Sequence, residues 1–293
     1  MQSEDEPLRD AVQARLADFT AAERKIAQVI LAEYPYGGLV PIQDLARRAG
    51  ISAPSITRFV AKLGCAGFHD FQRRLIGELK ESRLSPVELK RGQAAAGEGN
   101  FLADYAARAA ALVARVADCA SLAQFDVLCD LLADPRTGLH MIGGRVTDSI
   151  AQLLTAHLCQ IRGRVRHLPA NPEQWPDVVL GLTRRDAVVI FDIRRYDPRL
   201  AVLAESAAAR GAKVVSITDQ WLSPVSLHAR QTFALPVEVG TPWDSHLALV
   251  ALVEAAIIRV SERDWPATSQ RIAGIDRLRL ALDPLRGPGV GLE

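Results

Sequence analysis

The chain has 293 residues, is 49% hydrophobic and 24% charged, and carries a formal net charge of +1, values ordinary for a soluble globular protein of two modest domains. Four cysteines, Cys65, Cys119, Cys129 and Cys159, share no C-x-x-C spacing. Zinc and redox motifs are thereby unsupported, and the thiols read as small buried hydrophobes of a reducing cytosol. The acidic opening MQSEDEPLRD has no apolar core of a signal peptide, and no run of about 18 apolar residues occurs, so a cytoplasmic protein without a membrane span is expected.

From Leu8 to about Lys80 the pattern is helical. Leu8, Val12, Leu16 and Phe19 recur at intervals of three and four. Thr20 and Glu23 then form the signature of a capping box, and the helix they open carries Ile26, Ile30 and Leu31 and should end before Pro35, with Gly37 and Gly38 in a loop.

The segment IQDLARRAGISAPSITRFVAKLG, residues 42–64, is the most specific feature of the chain. Ile42, Leu45, Ala46 and Ala49 suit one short helix, Gly50 a tight turn, and Ile51 a plug beneath it. Ser52 is placed as the cap of a second helix, where Pro54 is tolerated in the first turn. Ile56, Phe59, Val60 and Leu63 then form its buried stripe, and Gly64 ends it. Two short helices about a glycine turn match a helix-turn-helix, whose second helix enters the DNA major groove. Ser55, Thr57 and Arg58 near its start suit base edges, and the cap Ser52 is counted with the DNA-binding residues. Arg47, Arg48, Lys62, Arg73 and Arg74 suit phosphates. Between Ile42 and Lys80 seven basic residues face three acidic ones, a local excess in a chain of net charge +1. A plain three-helix bundle with a solvated basic face shares this pattern.

The pieces FTAAERKIAQVILAEYP, IQDLARRAGISAPSITRFVAKLG and AGFHDFQRRL resemble the N-terminal domain of the RpiR (MurR/RpiR) family of bacterial regulators, the last through Gly67, Phe68 and Phe71 after the recognition helix. The resemblance implies a sugar isomerase (SIS) domain behind the DNA-binding domain. The expected fold is α/β: an all-α helix-turn-helix domain over 1–80, a linker over 81–100, and over 101–293 a doubly wound parallel sheet of the Rossmann-like SIS kind, its sheet core at about 120–265. The linker is marked by Pro86, Gly92, Gly97 and Gly99. Helical patterning resumes over 101–116 and 122–132.

Beyond it, LHMI, VRHL, AVVIFDI, KVVSIT and TFALPV alternate with Ala- and Leu-rich stretches, as in a parallel sheet covered on both faces. A last long helix is expected over Asp244–Arg263, with the end beyond Pro284 frayed. The turn after the first strand offers Gly143, Gly144, Arg145 and Thr147 at a helix N-terminus, a natural anion site. A tight turn without ligand has the same residues. It is not a dinucleotide fingerprint, because Asp148 stands where the last glycine belongs, and no cofactor is expected. Sugar-phosphate-binding members usually carry a Ser-rich loop after the central strand. Here FDIRRYDPR replaces it, with Asp192, Arg194 and Arg195 as candidate ligand residues: the two arginines could clamp a carboxylate or phosphate, or else pair with Asp192 and Asp197 or form part of a subunit interface. Thr218, Asp219, Ser223 and Ser226 belong to the carboxyl edge of a later strand, and Asp244, Ser245 and His246 could reach the same cleft.

None of the six histidines stands in a recognisable acid–base constellation, and no G-x-S-x-G elbow occurs, so no catalytic residue, metal or enzyme activity is expected. The expected partners are double-stranded operator DNA, a small anionic metabolite (a phosphosugar or a carboxylate) and further copies of the chain, as dimer or tetramer. A DNA-binding dimer with a ligand-free SIS domain is the alternative, and a sugar-phosphate isomerase a weaker one.

Overall fold

The computed structural model describes residues 7–81, 83–91 and 99–282. Most of the expected linker's second half and the end beyond Pro284 lie outside the described residues.

The N-terminal domain is built from α1 (Leu8–Ala14), α2 (Ala21–Ala32), α3 (Ile42–Ala49), α4 (Ala53–Lys62) and α5 (Phe68–Glu81). Its core joins the apolar stripes of all five, with Leu8, Ile26, Ile30, Leu45, Ile56, Phe59, Phe71 and Leu75 essentially excluded from water. The helix expected to run through Phe19 stops at Ala14, and Leu16 is left exposed. Leaving the helix brings the Phe19 ring to 5.1 Å from that of Phe59. Thr20 and Glu23 close the anticipated capping box on α2. Gly50 turns α3 into α4 at φ +65°, a conformation that disfavours any side chain. Ser52 sits at the N-cap position of α4, but its hydroxyl lies 2.9 Å from that of Ser55 and makes no bond to a helix N–H. The capping role expected of it is therefore corrected.

The connector contains one short helix, α6 (Pro86–Arg91). Then come α7 (Phe101–Ala114), α8 (Val116–Cys119), α9 (Leu122–Ala133), β1 (Gly138–Gly143), α10 (Asp148–Ile161), β2 (Val165–His167), α11 (Trp175–Gly181), β3 (Asp186–Asp192), α12 (Pro198–Ala209), β4 (Lys213–Asp219), β5 (Gln231–Leu235), α13 (Leu247–Arg263) and α14 (Trp265–Ala281). The five strands form one parallel sheet in the order β2-β1-β3-β4-β5. β3 at its centre is buried at every position. Its side chains alternate, so Ala187, Val189 and Phe191 join α9, α10 and α13 on one face while Val188 and Ile190 join α12 on the other.

Two expectations at the C-terminal end are corrected. The helix placed at Asp244 begins at Leu247, because residues 237–246 run as a loop whose Ser245 N–H donates to Val237 O at 2.7 Å. A further long helix, α14, follows it. Asp264 caps it through Ala267 N–H, and Arg271 fastens it to α10 by donating to Cys159 O at 2.8 Å. Its apolar residues Trp265, Leu278 and Leu280 are exposed, so it lacks the periodic stripe that betrays a packed helix. Of the cysteines, Cys65 and Cys129 are buried, but Cys119 is exposed at the end of α8 and does not fit the buried reading.

The two domains touch. Leu222 and Ala234 of the α/β domain pack into the apolar cluster of the N-terminal one, and the Trp221 indole N–H donates to Glu81 at 3.3 Å.

Candidate functional site

The strand order reverses between β1 and β3, the point where open α/β sheets leave a crevice at their carboxyl edge. The chain leaving β1 enters α10 on one face, and the chain leaving β3 enters α12 on the other. A cleft of about 460 Å³ occupies the gap. Gly144, Arg145, Val146 and Thr147 line it from the first loop, and Asp192, Arg194, Arg195 and Asp197 from the second. Trp243, Asp244 and His246 close one side, and Leu84, Pro86 and Leu89 of the connector another.

The first loop is a tight turn with its own chemistry already committed in part. A Cβ on Gly143 would lie 2.4 Å from Asp148 N, so β1 can approach the start of α10 only with glycine there. Asp148 itself occupies the first turn, accepting from Gly143 N–H at 2.9 Å and lying 2.8 Å from His167 Nε2. Thr147, 2% exposed, accepts from Gly144 N–H and donates to Phe191 O. Among the described residues, the N–H groups of Arg145, Val146 and Thr147 donate to no protein acceptor. They precede a 14-residue helix, whose N-terminal partial charge adds to theirs. Arg145 and Arg195 stand exposed on the same cleft.

The second loop differs from the expected pair of ligand arginines. The Arg194 side chain is 2% exposed, donates to Glu238 at 2.8 Å, lies 3.5 Å from Asp244, and stacks over the Trp221 ring at 4.0 Å. Its partners are thus Glu238 and Asp244, not Asp192 or Asp197. Asp197 instead holds Arg199, which keeps its carboxyl below the usual range. Asp192 accepts from Ser223 Oγ and Asp197 N–H, yet burial pushes its carboxyl up to about 7. Burial likewise raises Asp219 to about 6 against hydrogen bonds from Tyr196, Arg194 N–H and Trp221 N–H. Burial also lowers His246.

The structure therefore brings Gly144, Arg145, Thr147, Asp192, Arg194 and Arg195 to one cleft. Gly143, Thr218 and Ser223 stand behind it: Thr218 is fully buried and accepts from Ser223 N–H, and Ser223 supports Asp192. Trp243, 68% exposed at the rim, went unnoticed in the sequence, although a tryptophan in the loop GTPWD is a visible signal. The connector residues carry no such signal.

On the other domain, Arg47, Arg48, Ser52, Thr57, Arg58, Lys62 and Arg73 are exposed and Ser55 is half-buried. Arg58 donates to Ser55 Oγ at 3.1 Å, Lys62 pairs with Glu23 at 2.6 Å, and Arg48 with Glu33 at 2.7 Å. Arg47 and Arg73 pair with Asp44 and Asp70 one turn away. Arg74 departs from the rest, being half-buried with its guanidinium 3.7 Å from Cys65 Sγ.

Residues 8–82 match the helix-turn-helix domain of the rpiR family, and residues 131–259 match the SIS domain. The chain carries an rpiR-family helix-turn-helix domain followed by a SIS domain. A solved structure of Vibrio vulnificus NanR complexed with ManNAc-6P shares the fold over 94% of this chain and 99% of that one, at 17% identity and a TM-score of 0.54. The sugar isomerase domain of an RpiR transcription factor from Sphaerobacter thermophilus covers 61% of this chain and 99% of its own, at 15% identity and a TM-score of 0.55. A bifunctional protein glk of Burkholderia thailandensis is 25% identical over 237 residues, 80% of this chain. The chain spans about a third (35%) of that relative's length. In this chain the loop after β3 carries Asp192, Arg194 and Arg195, the ligand candidates of the sequence.

Proposed function

We propose that the protein is a sequence-specific DNA-binding transcription regulator whose SIS domain binds a small anionic metabolite and pairs copies of the chain on a two-fold operator. The observation that carries the ligand half is the set of uncommitted N–H groups at Arg145–Thr147, at the start of α10 on a cleft that also presents Arg145 and Arg195. A phosphate or carboxylate satisfies those donors and gains from the helix N-terminus and two cations. Trp243 at the rim offers an apolar face to the rest of the molecule. A phosphosugar suits such a site, and the NanR structure with ManNAc-6P supports that class.

The DNA half follows from the helix-turn-helix, with Ser52, Ser55, Thr57 and Arg58 toward base edges and Arg47, Arg48, Lys62 and Arg73 toward phosphates. One recognition helix reads few base pairs, so pairing through the α/β domain supplies the second half-site. We read the chain as a non-enzyme. Asp192 is engaged by Ser223 and Asp197, and Asp244 by Arg194, so these carboxyls brace the loops of the cleft.

A ligand-free SIS domain is favoured by one observation, the sequestration of Arg194 by Glu238 and Asp244. Thermal denaturation of the full chain with ManNAc-6-phosphate, glucose 6-phosphate, citrate and neutral sugars decides between them. A specific ligand at a hundredfold excess over its Kd stabilises the fold by about 2.7 kcal/mol. A shift with anions that Arg195→Ala abolishes supports the sensor. No shift with any of them supports the assembly reading.

A further inference from the structure

A short strap, Asp219–Ser223, joins the cleft to the DNA-binding domain. At its start, the buried Asp219 carboxylate accepts from Arg194 N–H at 2.6 Å and Trp221 N–H at 3.1 Å, fastening strap to cleft loop. Trp221, 3% exposed, comes next. The Arg194 guanidinium covers its ring, and its indole N–H reaches Glu81 at the last residue of α5. Leu222 follows at φ +62°, a costly conformation for a residue with a bulky side chain. What the strain achieves is visible: the Leu222 side chain, 7% exposed, is inserted in the apolar cluster of the other domain.

Arg194 is the residue that cleft and strap share. Its Nε and Nη1 are buried and have no hydrogen-bond partner among the described residues, although Asp244 lies within ion-pair distance. A guanidinium with two unsatisfied buried donors is poorly served by its present neighbours. An anion arriving in the cleft offers those donors the acceptors they lack.

We propose that Arg194 is a ligand-operated latch: an anionic ligand draws its guanidinium off the Trp221 ring, and the released Trp221–Leu222 strap loosens its hold on α5 and changes DNA affinity. The proposal rests on the ligand reading of the cleft. The two arrangements differ in what Arg194 touches, so only one of them offers its N–H groups to the ligand, which is the differential affinity a switch requires. The connector strengthens the link, since Leu84, Pro86 and Leu89 line the same cleft and meet the same ligand.

The mechanical half can be tested without a ligand, on the full chain and a duplex that it selects from a random-sequence pool. Arg194→Met breaks the latch, and Arg185→Met removes the same charge from an exposed position at the opposite end of β3, away from the cleft. Arg194→Met should change the Kd for the duplex by at least about fivefold, the lower range of allosteric couplings, and speed amide exchange at the end of α5. Arg185→Met should move neither by more than about twofold. A folded Arg194→Met protein that matches Arg185→Met in both readouts overturns the latch. If Arg194→Met does not fold, Trp221→Phe keeps a ring beneath the guanidinium and drops only the bond to Glu81. Faster exchange in α5 is then expected, and wild-type exchange with wild-type affinity overturns the proposal. Failure of the cleft reading shows separately, as a wild type whose melting temperature none of the anions moves. That result overturns ligand operation and leaves the mutant comparison standing as a domain contact alone.

Discussion

The Thr147 hydroxyl donates to Phe191 O at 2.7 Å while accepting from Gly144 N–H at 3.0 Å, and so joins the loop after β1 to the end of β3 beneath the cleft. The residue is 2% exposed, so neither bond competes with water. Thr147→Val keeps the shape and removes both bonds' shared oxygen. We expect it to lower stability by about 0.5–1.5 kcal/mol, the net worth of a hydrogen bond, because Gly144 N–H still donates to Phe191 O at 2.8 Å, with Thr147→Ser near wild type. Urea denaturation measures this; a Val variant as stable as the Ser variant would mean that the hydroxyl does not hold the two loops together.

Asp192 makes the cleft sensitive to pH. Burial raises its carboxyl from 3.8 to about 7, so the folded chain binds a proton there that the unfolded chain has already released. Stability from this group is fully present below about pH 4 and is lost as pH rises through 7. Asp192→Asn removes the dependence. The stability of wild type minus that of Asp192→Asn should fall by roughly 2.6 kcal/mol between pH 5 and 8, from about 1.36 kcal/mol per pKa unit. The difference includes the repulsion between Asp192 and Asp219, which is part of what raises Asp192. A difference that stays flat or rises with pH contradicts the assignment.

Gly143 supplies the sharpest steric test. An added Cβ would lie 2.4 Å from Asp148 N and 2.6 Å from Thr147 C, both backbone atoms that cannot swing aside. Gly143→Ala should cost about 1–3 kcal/mol, in the range of overpacking. Gly163→Ala, where a Cβ meets nothing within 4 Å, should stay within about 0.5 kcal/mol of wild type. Equal melting temperatures for the two variants would contradict the close approach.

What the sequence disclosed depends on how local the signal was. The α3–α4 turn was legible because Gly50 and the stripe Ile56, Phe59, Val60 act within a few residues. The buried central strand showed as a continuous apolar run, AVVIF. The ion-pair partners of Arg194 were not legible, because Glu238 and Asp244 lie over 40 residues away, on a loop with no periodicity. Leu84, Pro86 and Leu89 belong to the cleft only through the packing of the connector, which no pattern in the linker encodes. α14 was missed because Trp265, Leu278 and Leu280 face outward and blur its apolar stripe. The turn at Gly143 and Gly144 was correctly placed after the first strand, but Asp148 and Thr147 fill part of the anion site that its glycines suggest.

The nucleic-acid surface separates into two classes of residue. Arg58 projects from the exposed face of α4 with its guanidinium braced by Ser55, geometry that suits a base edge. Arg47 and Arg73 are largely exposed and held only by carboxylates one turn away, pairs that cost little to exchange for a phosphate. Arg58→Ala should therefore weaken binding to a selected duplex by about 1–3 kcal/mol and barely affect a scrambled one. Arg47→Ala should weaken both alike and reduce the slope of log K against log salt by about 1. Fluorescence-anisotropy titrations at several salt concentrations read both effects. If Arg58→Ala weakened the two duplexes equally, it would be a phosphate contact, and sequence reading would fall to Ser52, Ser55 and Thr57 at the start of the same helix.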